Sequence, residues 1–252
     1  MPRARTVLLV LVACSFFVPA TARAAATARM SAAFTPEHLG ASTTVSFGFQ
    51  ISQDTQDPAP LTGVELAYPR GLGLATSDLG VAPCPPTQLE VIGPTGCPPN
   101  SQMGSGNAVA QVPFGSDVVH ETVALSLLAG PSPDGYLHLL VYAKGKFPIE
   151  AILVLTAVVL PGHIAITVPP IPSLPAAPYV ALTEMHLTLG GHLTYYEMVK
   201  GRRIAYHPAG VGLPATCPRG GFRFAATFTL LDGERAGSHA AVACPARRRS
   251  RP

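Results

Sequence analysis

Charge is what this 252-residue sequence has least of. Asp, Glu, Lys and Arg make up 12% of it, about half the ~25% usual for a globular chain. Lysine occurs only as Lys144, Lys146 and Lys200. The formal charge of +3 does not describe the body of the chain. Arg3, Arg5 and Arg23 sit near its start and Arg247, Arg248, Arg249 and Arg251 near its end, leaving ten basic against fourteen acidic residues in 25–246. A body with that balance offers no basic face to follow a phosphate backbone, so no nucleic-acid partner is expected.

Catalytic signatures are missing as well. There is no G-x-S-x-G nucleophile elbow, no S-x-x-K and no H-E-x-x-H. Gly104-Ser105-Gly106 lacks the Lys-Ser/Thr ending of a phosphate loop and a helix after it, so it reads as a turn. No apolar run reaches the ~20 residues that a membrane-spanning helix needs. The longest candidates are Val7–Val18 and the fourteen residues Phe147–Leu160. Glycine and proline together number 51, about 20% of the chain and short of the ~25–30% that marks disorder. With 48% hydrophobic residues the chain can build a core, and Ser, Thr, Ala and Pro must make its surface.

What is present begins with the ends. Arg3 and Arg5, then the apolar run Val7–Val18, then the small-residue site Ala22-x-Ala24 have the order of a secretory signal peptide over 1–24, cleaved after Ala24. The alternative is a lipoprotein anchored through Cys14. Leu11-Val12-Ala13-Cys14 resembles a lipobox, but Ser15–Val18 continues the apolar stretch that a lipobox should end. The Arg-rich segment 247–252 is expected to fray as a basic tail. A secreted, extracellular protein with no transmembrane segment after signal removal is the expectation.

Four cysteines then remain, Cys84, Cys97, Cys217 and Cys244. An even number in an exported chain implies two disulfides. Cys84–Cys97 and Cys217–Cys244 are favoured because each pair is close in sequence and flanks one local feature. Zinc is the competing use, but no pair has C-x-x-C spacing and no histidine stands beside one. Neither a metal nor a cofactor is expected.

Short β signals dominate the rest. In Thr43–Ser52, Val45, Phe47, Phe49 and Ile51 alternate with small or polar residues, the period of a strand with one buried face. Leu61–Tyr68 follows. His120–Leu128 and Gly135–Ala143 flank a cluster of turn residues and read as a hairpin. Phe147–Leu160 reads as one long central strand buried on both faces, turned by Pro161-Gly162 into His163–Val168. The prolines of Pro169–Pro175 cannot feed a sheet ladder and should cross one end of the fold as polyproline II. Leu182–Leu189 and His192–Val199 around Gly190-Gly191 read as a hairpin with a two-residue turn. Phe222–Leu231 and His239–Cys244 around Asp232-Gly233 form the last pair, and Phe222, Phe224, Phe228 and Leu230 on one face should be core. One helical turn is expected at Thr87–Ile92, with Thr87 and Glu90 at capping-box spacing and Gly93 ending it.

The sum is an all-β fold: one β-sandwich over 25–246, immunoglobulin-like or related, with long Gly/Pro-rich loops, one short helical turn and two disulfides. A subdomain division near residue 113 is the alternative; the part before it holds too few strands for a sandwich of its own. The segments FTPEHLGASTTVSFGFQI (34–51), LTGVELAYPRGLGL (61–74), CPPNSQMGSGNA (97–108), TVPPIPSLP (167–175) and TCPRGGFRFAATFTLLDG (216–233) resemble, in this order, a family of uncharacterised secreted β-rich proteins of high-GC Gram-positive bacteria. The resemblance implies export and disulfides and carries no catalytic residue.

One polar constellation stands out. If Gly190-Gly191 is a two-residue turn, Glu184 faces Glu197 and His186 faces Tyr195, with opposed side chains ~5 Å apart. Two carboxylates at that separation have the geometry of a retaining glycosidase. The same register puts His186 and His192 on opposite faces, against a shared metal. The structural reading is preferred: Lys200, Arg202 and Arg203 neutralise the pair, or a bulge separates it. The functional expectation is therefore a secreted or cell-envelope protein, non-enzymatic, that binds an extracellular polymer or partner protein through its loops or serves as a structural component. The alternative is a secreted hydrolase using the carboxylates of the 182–199 hairpin.

Overall fold

The computed structural model describes residues 25–35, 37–55, 57–75, 82–146, 150–173, 178–190, 195–206 and 210–244. The expected signal peptide, Cys14 within it and the 247–252 tail lie outside the described residues.

Period-two patterning is realised along nearly the whole chain. The strands are β1 (Thr27–Thr35), β2 (Ser42–Ser52), β3 (Leu61–Ala67), β4 (Gly73–Ala75), β5 (Gln102–Phe114), β6 (Asp117–Ala129), β7 (Leu137–Lys144) and β8 (Ile152–Leu160). After them come β9 (His163–Thr167), β10 (Ala181–Leu189), β11 (Tyr195–Val199), β12 (Arg202–Tyr206), β13 (Gly210–Gly212), β14 (Phe222–Leu230) and β15 (Arg235–Val242). Helix α1 (Pro86–Ile92) and two short 3-10 turns precede β5.

Thirteen strands belong to one antiparallel sheet, and β11 and β12 pair only with each other among the described residues. Following its ladders gives the path β1-β2-β10-β5-β6-β7-β8-β9-β3-β14-β15, eleven strands long. Its two ends meet, since β1 lies against β15. No ladder joins these two strands among the described residues; across the seam Glu234 Oε1 accepts a hydrogen bond from the Ala26 N–H at 2.6 Å. The expected all-β, sandwich-like architecture is therefore present as a single sheet curled into a near-barrel, whose opposite walls act as the two layers.

Turn chemistry set several of these pairings as the sequence suggested. Pro161-Gly162 joins β8 to β9 with Gly162 at φ 85°, a left-handed value that a Cβ would disfavour. The β6–β7 and β14–β15 hairpins form as expected. In the last pair Phe222, Phe224, Phe228 and Leu230 are all buried.

Four local expectations are corrected. Gly190-Gly191 does not close a hairpin: β10 lies between β5 and β2 in the sheet, and β11 pairs with β12. Gly104-Ser105-Gly106 is not a turn but the start of β5. A Cβ on Gly106 would stand 2.0 Å from the His186 carbonyl oxygen, and one on Gly104 2.1 Å from that of Thr188. Glycine serves there to let two backbones approach, not to reverse the chain. The strand expected at Phe147–Leu160 begins at Ile152, and most of it is half-buried rather than sealed on both faces. Finally, the N-cap of α1 is Pro85 with no side-chain cap, so Thr87 and Glu90 do not form a capping box. Proline at the first helical position supplies the preset φ instead.

In the crossover from β9 to β10, Pro172 meets Tyr179 in a single antiparallel bridge, and residues 174–177 lie outside the described set.

Both expected disulfides are formed, Cys84–Cys97 and Cys217–Cys244. The first encloses α1 and presses it on the outer face of the sheet. There the fully buried Leu89 packs with Leu128, Leu140 and Tyr142. The inward neighbours Leu127, Leu139 and Val141 are buried too, so it is β6 and β7 that are covered on both faces. Cys84–Cys97 closes a loop of 13 residues; replacing both cysteines by serine should lower stability by about 3 kcal/mol, read as a shift of the urea midpoint with the β spectrum retained.

Candidate ligand cavity

Eleven strands in a ring enclose more space than side chains of ordinary size fill; at about eight strands the interior is just full or holds one small ligand. This interior is divided. One half is plugged by side chains: Phe228, fully buried, lies 4.7 Å from Phe49 between ring centroids. Ile51, Leu61, Leu230 and Ala236 belong to the same cluster. The other half, beyond Val64, Val141 and Met185, is hollow.

The hollow is a cavity of about 180 Å³ lined by side chains from nine strands and by the Gly73 backbone of β4. Phe47 of β2, Leu66 of β3, Leu139 of β7, Val159 of β8, Ile166 of β9 and Leu187 of β10 face one another across it. Among the described residues its walls are Val, Leu, Ile, Phe, Met, Ala and Gly with one exception, Tyr68. The Tyr68 hydroxyl is already engaged, donating to the Leu160 carbonyl at 2.7 Å. Many of these inward-pointing side chains, Leu66, Val159, Ile164, Ile166 and Leu187 among them, are only half-buried. Inward direction with incomplete burial means that they border a space partly open to solvent rather than a packed neighbour. Around the hollow half, Phe34, Phe222 and Phe224 form one cluster and Met103, Leu127 and Leu139 another.

A space of this kind does not suit water, which needs two to four polar partners. An engineered cavity of ~150 Å³ with aliphatic and aromatic walls stays dry and takes up benzene. By size and lining, this one suits an apolar guest, and among the described residues it has no charged side chain to hold an ionised one.

The polar residues singled out by sequence stand elsewhere. Glu184 and His186 alternate along β10 with the inward Met185 and Leu187, so both project from the outer face. His186 Nε2 lies 2.9 Å from Glu184 Oε1, with the two side chains 55% and 38% exposed. The ring of His186 lies against Gly48, where a Cβ would meet its Nδ1 at 2.5 Å. The cross-strand neighbours of Glu184 are Gln50 and Val109, and those of His186 are Gly48 and Asn107. Glu197 is opposite Ile204, and Tyr195 opposite Tyr206, in the separate hairpin. The expected facing of Glu184 with Glu197 and of His186 with Tyr195 is thus replaced, because β10 needed both its edges for the main sheet. His192 lies outside the described residues. Among the described residues no three His, Cys, Asp or Glu side chains gather as a metal-holding group, and the sulfurs considered for zinc are bonded to each other.

Glu184→Gln and His186→Ala should each change stability by less than about 0.5 kcal/mol, as surface substitutions do. Thermal unfolding of the two variants checks this. A loss several times larger would give the pair a structural role that its exposure denies it.

The cavity residues were not identified by sequence reasoning. A signal was there: between 117 and 167 the one phenylalanine is Phe147, so the inward positions of β6 to β9 are medium-sized aliphatics. A long ring of strands filled by such residues must leave a void unless aromatic side chains reach in from elsewhere. Phe49 and Phe228 do so in one half only. The chain matches no protein-family model, no curated protein and no solved structure.

Proposed function

We propose that this protein binds a neutral apolar or weakly amphiphilic small molecule inside its curled sheet and acts outside the cytoplasm as a carrier or receptor for it. The observation that carries the reading is the half-empty interior, an apolar cavity of about 180 Å³ at one end of a ring plugged by phenylalanines at the other. Wall chemistry favours binding over turnover. Among the described residues the one hydroxyl of the lining is spent on a backbone carbonyl, and no acid, base or nucleophile faces the space. Action outside the cytoplasm is supported by the two disulfides, which persist in oxidising compartments. It is compatible with the described helix being too short to cross a membrane. In this reading recognition sits in the interior of the sheet rather than in the loops.

Titration with a neutral, environment-sensitive dye such as N-phenyl-1-naphthylamine tests it. Saturable enhancement of fluorescence at one site per chain, reversed by a medium-chain alcohol or hydrocarbon, is the expected outcome. Extraction of the purified protein with organic solvent, followed by mass spectrometry, should release a co-purifying apolar compound. Absence of both saturable uptake and any extractable guest would end the proposal.

A further inference from the structure

The β11–β12 hairpin stands apart from the main sheet and differs from the rest of the chain in composition. Among the described residues its strands form ladders only with each other. A lone two-stranded hairpin is marginal in water, yet this one exposes three large apolar side chains: Tyr196 at 56%, Met198 at 66% and Ile204 at 45%. Register puts them on both faces. Tyr196 and Met198 share one face with their partners Ala205 and Arg203, and Ile204 belongs to the other.

Charge is concentrated at the same place. The hairpin holds Lys200, Arg202 and Arg203 against Glu197, while the rest of 25–246 has seven basic against thirteen acidic residues. The cations cluster at the tip. Lys200 itself occupies the turn at φ 49°, a left-handed position where Gly or Asn is the usual choice. The Arg203 guanidinium lies 3.8 Å from the centre of the Tyr196 ring, so cation and aromatic form one platform.

We propose that this hairpin docks the protein on an anionic lipid bilayer, with Tyr196, Met198 and Ile204 entering the boundary of headgroups and acyl chains and Lys200, Arg202 and Arg203 meeting lipid phosphates. Aromatic and apolar side chains next to basic ones are what the interface of such a membrane selects. Exposure of apolar groups on both faces favours lipid over a protein groove, because a groove or sheet edge covers one face whereas a bilayer surrounds an inserted tip. The inference is independent of the cavity reading, and either can fail alone.

Cosedimentation with vesicles of phosphatidylglycerol mixed with phosphatidylcholine, against phosphatidylcholine alone, tests it on the whole protein. Binding should require the anionic lipid and weaken as salt is raised. Each cation near such a surface contributes about fivefold to partitioning, so Arg202→Gln with Arg203→Gln should reduce it roughly 25-fold. Met198→Asp should abolish insertion. The hairpin lies outside the main sheet, so these variants should unfold at the wild-type temperature. The sequence has no tryptophan, which makes Tyr196→Trp a unique reporter: its emission should shift to the blue on anionic vesicles and be quenched by bromine-labelled acyl chains. Unquenched emission, or hairpin variants that bind as the wild type does, would overturn the proposal. Self-association without lipid that Met198→Asp abolishes would overturn it too, assigning the hairpin to a protein contact.

Discussion

Replacing Ala157 by phenylalanine is expected to eliminate dye uptake while leaving the fold in place. Ala157 is 3% exposed and pairs with Leu139 on one side and Ile166 on the other, with its methyl facing the cavity. A benzyl group added there occupies space that a guest would need. Burial of the new ring contributes about 1.5–3 kcal/mol, and crowding in a wall of fixed backbone costs about 1–3 kcal/mol. The two are of one size, so net stability should move by less than about 1–2 kcal/mol in either direction. Affinity responds differently, since lost volume has no compensation: at least a tenfold weakening, about 1.4 kcal/mol, is expected. Ala157→Leu should fall between. Leu187→Ala should act in the opposite sense, admitting a bulkier guest at a stability cost near the lower end of the ~2–5 kcal/mol range, because Leu187 is only half-buried. Fluorescence titration and urea unfolding of the same samples separate the two effects. Undiminished uptake by Ala157→Phe would mean that the dye sits somewhere else.

Phe228→Ala should be the most damaging single substitution in the fold. The ring is fully buried and packs on Phe49 in the plugged half of the interior. Its removal costs the transfer energy of six ring carbons and leaves a void that the surrounding ladders cannot collapse, about 3–5 kcal/mol in total. Against an overall stability of ~5–15 kcal/mol for a domain, that is a fifth or more. The urea midpoint should fall accordingly. Phe114→Ala, at a position 51% exposed, should shift it by less than about 0.5 kcal/mol. Equal effects from the two would contradict the burial that makes Phe228 the plug.

Legibility of the fold from sequence depended on how local the cause was. The alternation in Thr43–Ser52, the aromatic face of Phe222–Leu230, the Pro161-Gly162 and Asp232-Gly233 turns and both cysteine pairings are decided within some thirty residues, and each could be read. Glycine misled wherever its partner was distant. Gly190-Gly191 and Gly104-Ser105-Gly106 look like punctuation. Gly104 and Gly106 are glycine because β10, about eighty residues later, runs too close for a Cβ. The same cause separated Glu184 from Glu197: nothing near β10 in sequence announces that β2 and β5 will occupy its two edges. The cavity was invisible for a further reason. An empty volume is a property of the closed ring, and each of its walls looks locally like any other buried strand.

The line between β1 and β15 has a consequence for the size of that interior. In a fully laddered barrel the strand number and stagger fix the girth, and any dilation must break hydrogen bonds. Here, among the described residues, the circuit is interrupted once, and the facing inward positions are Ala28, Met30, Ala32 and Phe34 of β1 and Ala236, Ser238, Ala240 and Val242 of β15. The wall is therefore built like a split ring: it can open with every ladder intact, by parting side-chain contacts such as those of the cluster that holds Phe34 and Val242. Guests of different bulk could be accommodated by spreading this one joint, and the hydrogen bond from the Ala26 N–H to Glu234 is the clasp that would have to lengthen.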